Sequence, residues 1–242
     1  MAKFMLIAGG NVGRGRTDYE TKNIDKEIVK MTEKEEPNFL FVGLASNFSD
    51  SYYDTMKKIY SNLGCKCSYL KKKNIINNRD IVINKMSSAD IIYFCGGNSI
   101  KLVNDLKEYD LVDLLDEQIK NNTVIAGMSA GAIMLSKYGY SDSLKLTGES
   151  DKYDFVEGLN FLPIVFCPHY IPEEEKALEL SNDLKNYNYK VVAAEDKCAI
   201  KIVDDTYEII REQDNINSYI CTYEKEFVCK KLEDKGNIKG LM

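Results

Sequence analysis

Ser129 lies in Gly127-Met128-Ser129-Ala130-Gly131, a G-x-S-x-G pattern that serves nucleophilic catalysis when it joins a strand to a helix. The strand-like TVIA precedes it and the helix-like AGAIMLSK follows it. Small residues suit the flanks of a serine held at a sharp turn. Such a turn exposes Oγ, and the N–H groups after it open a helix whose unpaired donors favour developing negative charge. A second strand-to-helix junction, Phe94-Cys95-Gly96-Gly97-Asn98-Ser99, carries a glycine pair that lets backbone approach a ligand. The N–H groups of Gly97 and Ala130 are therefore candidate oxyanion-hole donors. A strand exit that merely needs positive φ explains the glycine pair equally well. A serine hydroxyl is a weak nucleophile until a base takes its proton. The chain has a single histidine, His169, at the end of the strand-like PIVFCPHY. Three of the four prolines, Pro163, Pro168 and Pro172, surround it. A carboxylate should orient that imidazole, and Asp142, Glu149, Asp151, Asp154 and Glu195 are candidates that spacing does not separate. Cys167 shares a strand face with His169 but has no elbow, so packing is its expected role.

One histidine also excludes a good deal. A His-rich zinc centre and an H-E-x-x-H metalloprotease are impossible, and no metal or other cofactor is expected. A net charge of −6 disfavours nucleic acid and anionic membranes as partners. Gly10-Asn11-Val12-Gly13-Arg14-Gly15-Arg16-Thr17 approaches a phosphate-binding loop, with Arg16 where a lysine should stand. No aspartate-ended strand completes a magnesium site, so we take this segment as a loop bordering the active site. The seven cysteines are scattered and form no Cys-x-x-Cys pair, as expected of buried thiols in a reduced cytoplasmic protein. The apolar start, Phe4 to Ala8, is too short for a signal segment, and no stretch reaches the ~18 apolar residues of a membrane helix.

These residues need a scaffold that brings strand ends together. KFMLIAG, NFLFVGLA, KCSYL, ADIIYFCGG and TVIAGMS read as strands, separated by helical patterns at 22–35, 52–63, 99–107 and 111–121. That alternation predicts a parallel sheet covered on both faces. A helix should run from Ser129 toward Lys137, followed by a polar stretch over 138–157 with few regular elements. Then come the PIVFCPHY strand, a helix over 173–186, and the strands KVVAA, CAIKIV, YEIIRE and EFVCKKL. No repeat or linker breaks the chain, so a single domain over 1–242 is expected.

The elbow with Ala132 after it, the upstream Gly96-Gly97-Asn98 and Pro168-His169-Tyr170, in this order, resemble the dipeptidase E and cyanophycinase-like serine peptidases. LIAGGN, the second strand with its helix, Glu157-Gly158-Leu159 and Ala194-Glu195-Asp196-Lys197-Cys198-Ala199-Ile200 extend the resemblance over nearly the whole chain. It implies a class I glutamine amidotransferase-like, flavodoxin-like three-layer α/β/α sandwich with a mostly parallel central sheet. It also implies a Ser129 nucleophile, a His169 base and an oxyanion hole at Gly97 and Ala130, with Gly96, Asn98 and Tyr170 toward the substrate. The family's acid lies between serine and histidine, where Asp142 in Ser141-Asp142-Ser143 fits best and Glu149 and Asp151 stand in reserve. The implied partner is a small peptide, and a homodimer is possible. Members that take N-terminal aspartate are expected to carry an arginine after the histidine. Here Ile171-Pro172-Glu173-Glu174-Glu175-Lys176 has none, so strict aspartyl-dipeptide specificity is not expected. The alternatives are a non-catalytic regulatory protein on the same fold and a hydrolase of branched Asp-Arg substrates. An amidotransferase-type glutaminase is disfavoured by serine at the elbow.

Overall fold

The computed structural model describes residues 2–242. The first half alternates strand and helix: β1 (Lys3–Ile7), α1 (Lys22–Lys30), β2 (Asn38–Val42), α2 (Asp50–Asn62), β3 (Lys66–Leu70), α3 (Lys72–Asn77), α4 (Arg79–Ser87), β4 (Ile91–Phe94), α5 (Ser99–Glu108), α6 (Val112–Lys120), β5 (Val124–Met128) and α7 (Ala130–Leu135). The second half runs β6 (Ser136–Ser141), α8 (Ser143–Thr147), β7 (Asp154–Glu157), β8 (Leu162–Cys167), α9 (Glu175–Asp183), β9 (Val191–Ala194), β10 (Cys198–Val203), β11 (Thr206–Arg211), β12 (Ser218–Tyr223), β13 (Phe227–Lys231) and β14 (Lys235–Asn237).

The fold is α/β, as expected. An eight-stranded sheet has the order β14-β11-β10-β1-β5-β4-β2-β3. Its β3, β2, β4, β5 and β1 are parallel, and β10, β11 and β14 continue it antiparallel. Every residue of β1, β4 and β5 is buried, which is why these strands are continuous apolar runs rather than alternating ones. The chain adds a second, six-stranded sheet of order β13-β12-β9-β8-β6-β7, with β6, β8 and β9 parallel. The short, fully buried α7 packs on strands of both sheets.

Several elements depart from the sequence expectation. The helix after Ser129 stops at Leu135, and Ser136 already begins β6. The stretch expected to be irregular holds β6, α8 and β7, because Tyr140 turns into the second core and donates to Asp183 (2.6 Å). The helices α3 and α4 lacked an apolar signature: α3 buries no residue and α4 only Val82 and Met86. Cys221 and Cys229 face each other across the β12–β13 hairpin and are disulfide-bonded, contrary to the expectation of free thiols; the other five cysteines are free. Among the described residues no helix is long and apolar enough to cross a membrane.

One buried charge sits beneath the loop that follows β1. Asp25, fully buried on α1, accepts from Tyr60 Oη (2.8 Å), Thr21 Oγ1 (2.8 Å) and Tyr19 Oη (3.0 Å). Burial pushes its carboxyl up to about 6 against the pull of these three donors, and Glu212 adds to the rise. A folded value above the unfolded one means that Asp25 favours the fold below about pH 4. That contribution is lost as pH rises through about 6. A shift of this size amounts to roughly 3 kcal/mol. Asp25→Asn should therefore gain stability relative to the native chain on going from pH 4 to pH 7, read by chemical denaturation at both values. A stability difference that does not change with pH would refute this account.

Candidate active site

Ser129 follows β5 with φ +50° and ψ −104°, a conformation that non-glycine residues seldom adopt. The turn is held on both sides. Ser129 N–H donates to Ile7 of β1 (2.8 Å), and its carbonyl accepts from Ala132 and Ile133 N–H (3.0 Å each). The elbow glycines are required by contact, since a Cβ on Gly127 would stand 2.3 Å from Gly131. Gly96 lies beside the serine, where a Cβ would meet Ser129 Cβ at 3.6 Å. Gly97 has φ +149° and presses on Ala45, whose carbonyl oxygen would be 2.0 Å from a Cβ, so only glycine fits. Ala130 N–H opens α7 and has no acceptor within that helix.

His169 follows β8 and also takes positive φ (+54°). Its turn is braced from below, where the buried Lys176 sends Nζ to the Pro168 carbonyl (2.6 Å). His169 Nε2 lies 2.9 Å from Ser129 Oγ, and Nδ1 lies 2.5 Å from Asp196 Oδ1. Asp196 comes two residues after β9, the parallel neighbour of β8, so both residues leave the same end of the second sheet. Tyr170 N–H fixes the two strand ends to each other by donating to the Ala194 carbonyl (2.9 Å). Gly9 lies directly beneath the pair: a Cβ there would be 2.1 Å from Asp196 Oδ1 and 2.4 Å from His169 Cε1. Lys197 pairs with Glu20 (2.7 Å) and holds that carboxyl below its usual range, and Glu20 in turn accepts from Asn11.

A cleft of about 440 Å³ opens over Ser129 and His169. The loop at 10–17 forms one wall and Ser46, Tyr52 and Gly97 contribute to the other. The near-phosphate-loop segment thus borders the serine, as anticipated.

Other candidates lie elsewhere. Asp142 does not meet His169. It stands between the buried Ser141 and Ser143, which turn inward to Ser99 on α5, while Asp142 starts α8 beside Tyr153. Glu149 lines a neighbouring surface cavity, Asp151 is exposed, and Asp154 accepts from the next backbone N–H (2.7 Å). Glu195 points away from Asp196 and accepts from Tyr219 Oη (2.6 Å). Asn98 caps α5 through Lys101 N–H (2.8 Å) and donates to the Ser143 carbonyl, so its amide is engaged in the fold. Tyr170 is buried against Tyr219 rather than facing the cleft. Cys167 is buried, which pushes its thiol up to about 11. Sequence reasoning missed Asp196 and Gly9. The signal for Asp196 was present, as an acidic pair closing a strand, the same placement that singled out His169. Among the described residues no three metal-ligating side chains converge.

The fold and the site define an α/β protein with a serine–histidine–aspartate relay at strand ends. The chain belongs to peptidase family S51, whose model matches residues 4–210. It is 27% identical over 206 residues, 85% of each chain, to the uncharacterized peptidase YgaJ of Bacillus subtilis strain 168. It is 33% identical over 132 residues, 54% of this chain and 56% of the other, to Peptidase E of Haemophilus influenzae strain ATCC 51907. A peptidase from an acI-B1 Actinobacterium shares the fold at TM-score 0.66 and 17% identity, covering 98% of this chain and 96% of that one. A putative Peptidase E from Listeria monocytogenes EGD-e does so at TM-score 0.62 and 20% identity, covering 96% of this chain and 100% of that one.

Proposed function

We propose that the chain is a serine peptidase that cleaves dipeptides or other short peptides through an acyl-enzyme on Ser129. The observation that carries this reading is the continuous relay from Ser129 Oγ to His169 Nε2 and from His169 Nδ1 to Asp196. Family membership supplies the peptide bond as the target. Ser129 Oγ attacks the scissile carbonyl carbon as its proton passes to His169 Nε2. The carbonyl oxygen becomes an oxyanion facing the N–H groups of Gly97 and Ala130. The C–N bond then breaks, and His169 gives the proton to the departing amine. Water enters, loses a proton to His169 and attacks the ester. The acid product leaves as Ser129 recovers its proton. Asp196 holds the imidazole with Nδ1 protonated and Nε2 free to accept. The cleft volume matches a substrate of a few residues rather than a folded chain. A relay within hydrogen-bond reach disfavours a silent regulatory protein.

A fluorophosphonate should label the native chain at one residue, Ser129, identified by peptide mass mapping, and Ser129→Ala should take no label. Labelling elsewhere, or undiminished labelling of Ser129→Ala, would remove the nucleophile assignment.

A further inference from the structure

Space for a ligand does not end at Gly97. A second cavity, of about 650 Å³, opens beside that glycine, and Gly97 lines both it and the Ser129 cleft. Ala45 walls the cavity where the adjacent Ser46 walls the cleft, so the two spaces adjoin along this stretch of backbone. The relay uses none of the second space. Three apolar side chains line it, Ile100 of α5 and Leu144 and Leu146 of α8. Leu146 is 61% exposed, more than any other large apolar side chain among the described residues. The helix that carries it buries only Ser143, so the core does not need leucine at these positions. Apolar side chains gathered at a concave surface beside a reactive serine are the mark of a site that an apolar group covers. The exposed side-chain amides of Asn47 and Asn104 line the cavity as well, and an amide both donates to and accepts from a peptide backbone. Lys101 is paired with Asp105, which leaves Glu149 as the one charge of the lining without an ion-pair partner among the described residues.

The strand order sets which half of a substrate reaches this cavity. Parallel β1, β5 and β4 are neighbours, so Ser129 at the end of β5 has the end of β1 on one side and the end of β4 on the other. His169 and Asp196 stand over Gly9, just past β1, whereas Gly97 follows β4. The departing amine must lie toward His169, which protonates it, so the acyl half is directed toward Gly97 and the cavity beside it. We propose that this cavity is a subsite for the amino side of the substrate, and that the preferred peptides have three or more residues with an apolar side chain, ahead of the scissile bond, against Ile100, Leu144 and Leu146. This rests on the reading of the Ser129 cleft as a peptide-binding site and carries it past dipeptides. Glu149 disfavours an acidic side chain at the same position.

Calorimetry on the Ser129→Ala chain with Ala-Ala-Ala, Leu-Ala-Ala, Glu-Ala-Ala and Ala-Ala-Leu reads the subsite without any turnover. Leu-Ala-Ala should bind about tenfold tighter than Ala-Ala-Ala, the effect of covering the additional apolar surface of leucine. Glu-Ala-Ala and Ala-Ala-Leu should bind no better than Ala-Ala-Ala. Leu146→Ser in the same background should cut the leucine preference to within about twofold, and Leu146→Met, which keeps the volume, should retain most of it. Leu146 is mostly exposed, so neither change should disturb the fold, and thermal unfolding checks this. Equal binding of all four peptides, binding of none, a gain for Ala-Ala-Leu or Glu-Ala-Ala instead, or a leucine preference that survives Leu146→Ser would overturn the subsite. Fluorophosphonate labelling of the chain with native Ser129 is scored separately. A chain that shows the Leu146-dependent preference but takes no label keeps the subsite and loses the nucleophile, and a labelled chain without the preference does the reverse.

Discussion

His169→Asn lowers kcat for short-peptide cleavage by about 10⁴-fold or more, the loss expected when the base of such a relay is removed. Asparagine is the informative replacement because His169 sits at φ +54°, where asparagine is tolerated and alanine adds backbone strain. The chain contains no second histidine. Nothing else near Ser129 can take its proton with an imidazole's affinity, and the residual rate then reflects only the oxyanion donors and substrate placement. His169 is held by its turn and contributes little burial, so the fold should survive, and thermal unfolding monitored alongside verifies this. Steady-state turnover on a cleavable peptide is the measurement. A variant retaining a tenth of native kcat would end the case for His169 as the base.

The second large effect belongs to Asp196. Asp196→Asn should lower kcat by about 10³- to 10⁴-fold with little change in KM, because the acid holds a tautomer rather than the substrate. An asparagine amide donates toward His169 Nδ1, which drives the ring proton to Nε2. The nitrogen that should accept from Ser129 Oγ then carries a hydrogen of its own. Asp142→Asn serves as the control and should leave kcat within about twofold, since Asp142 stands at the start of α8 away from the imidazole. If Asp142→Asn were the damaging change, or if both variants lost activity equally, the acid would have to be reassigned.

The contrast between these two carboxylates shows what could be read in the sequence. Ser129 was legible because everything that defines an elbow is local: a buried strand, two glycines in contact and a helix that begins at once. His169 was legible by elimination. Asp196 was hidden because its position depends on β9 pairing alongside β8, a relation between strands separated by α9. The pairings of β6, with β7 beyond α8 and with β8 beyond β7, are not set by neighbouring residues either, so β6 and β7 left only a faint trace. Tyr170 and Asn98 were misjudged for a different reason. Neighbours of reactive residues in the sequence alternate sides, and here one turns into the core while the other caps a helix.

The relay also spans a seam. Ser129 is carried by the eight-stranded sheet, whereas His169 and Asp196 leave strands of the six-stranded one, and α7 packs between them. Chemistry therefore depends on how the two halves of the chain are aligned, not only on whether each is folded. Ångström-scale slippage along that seam would part Oγ from Nε2 while leaving both sheets intact. Turnover would therefore depend on the tightness of the joint, and side chains that touch no substrate, such as the buried Ile133 and Leu135 of α7, would bear on it.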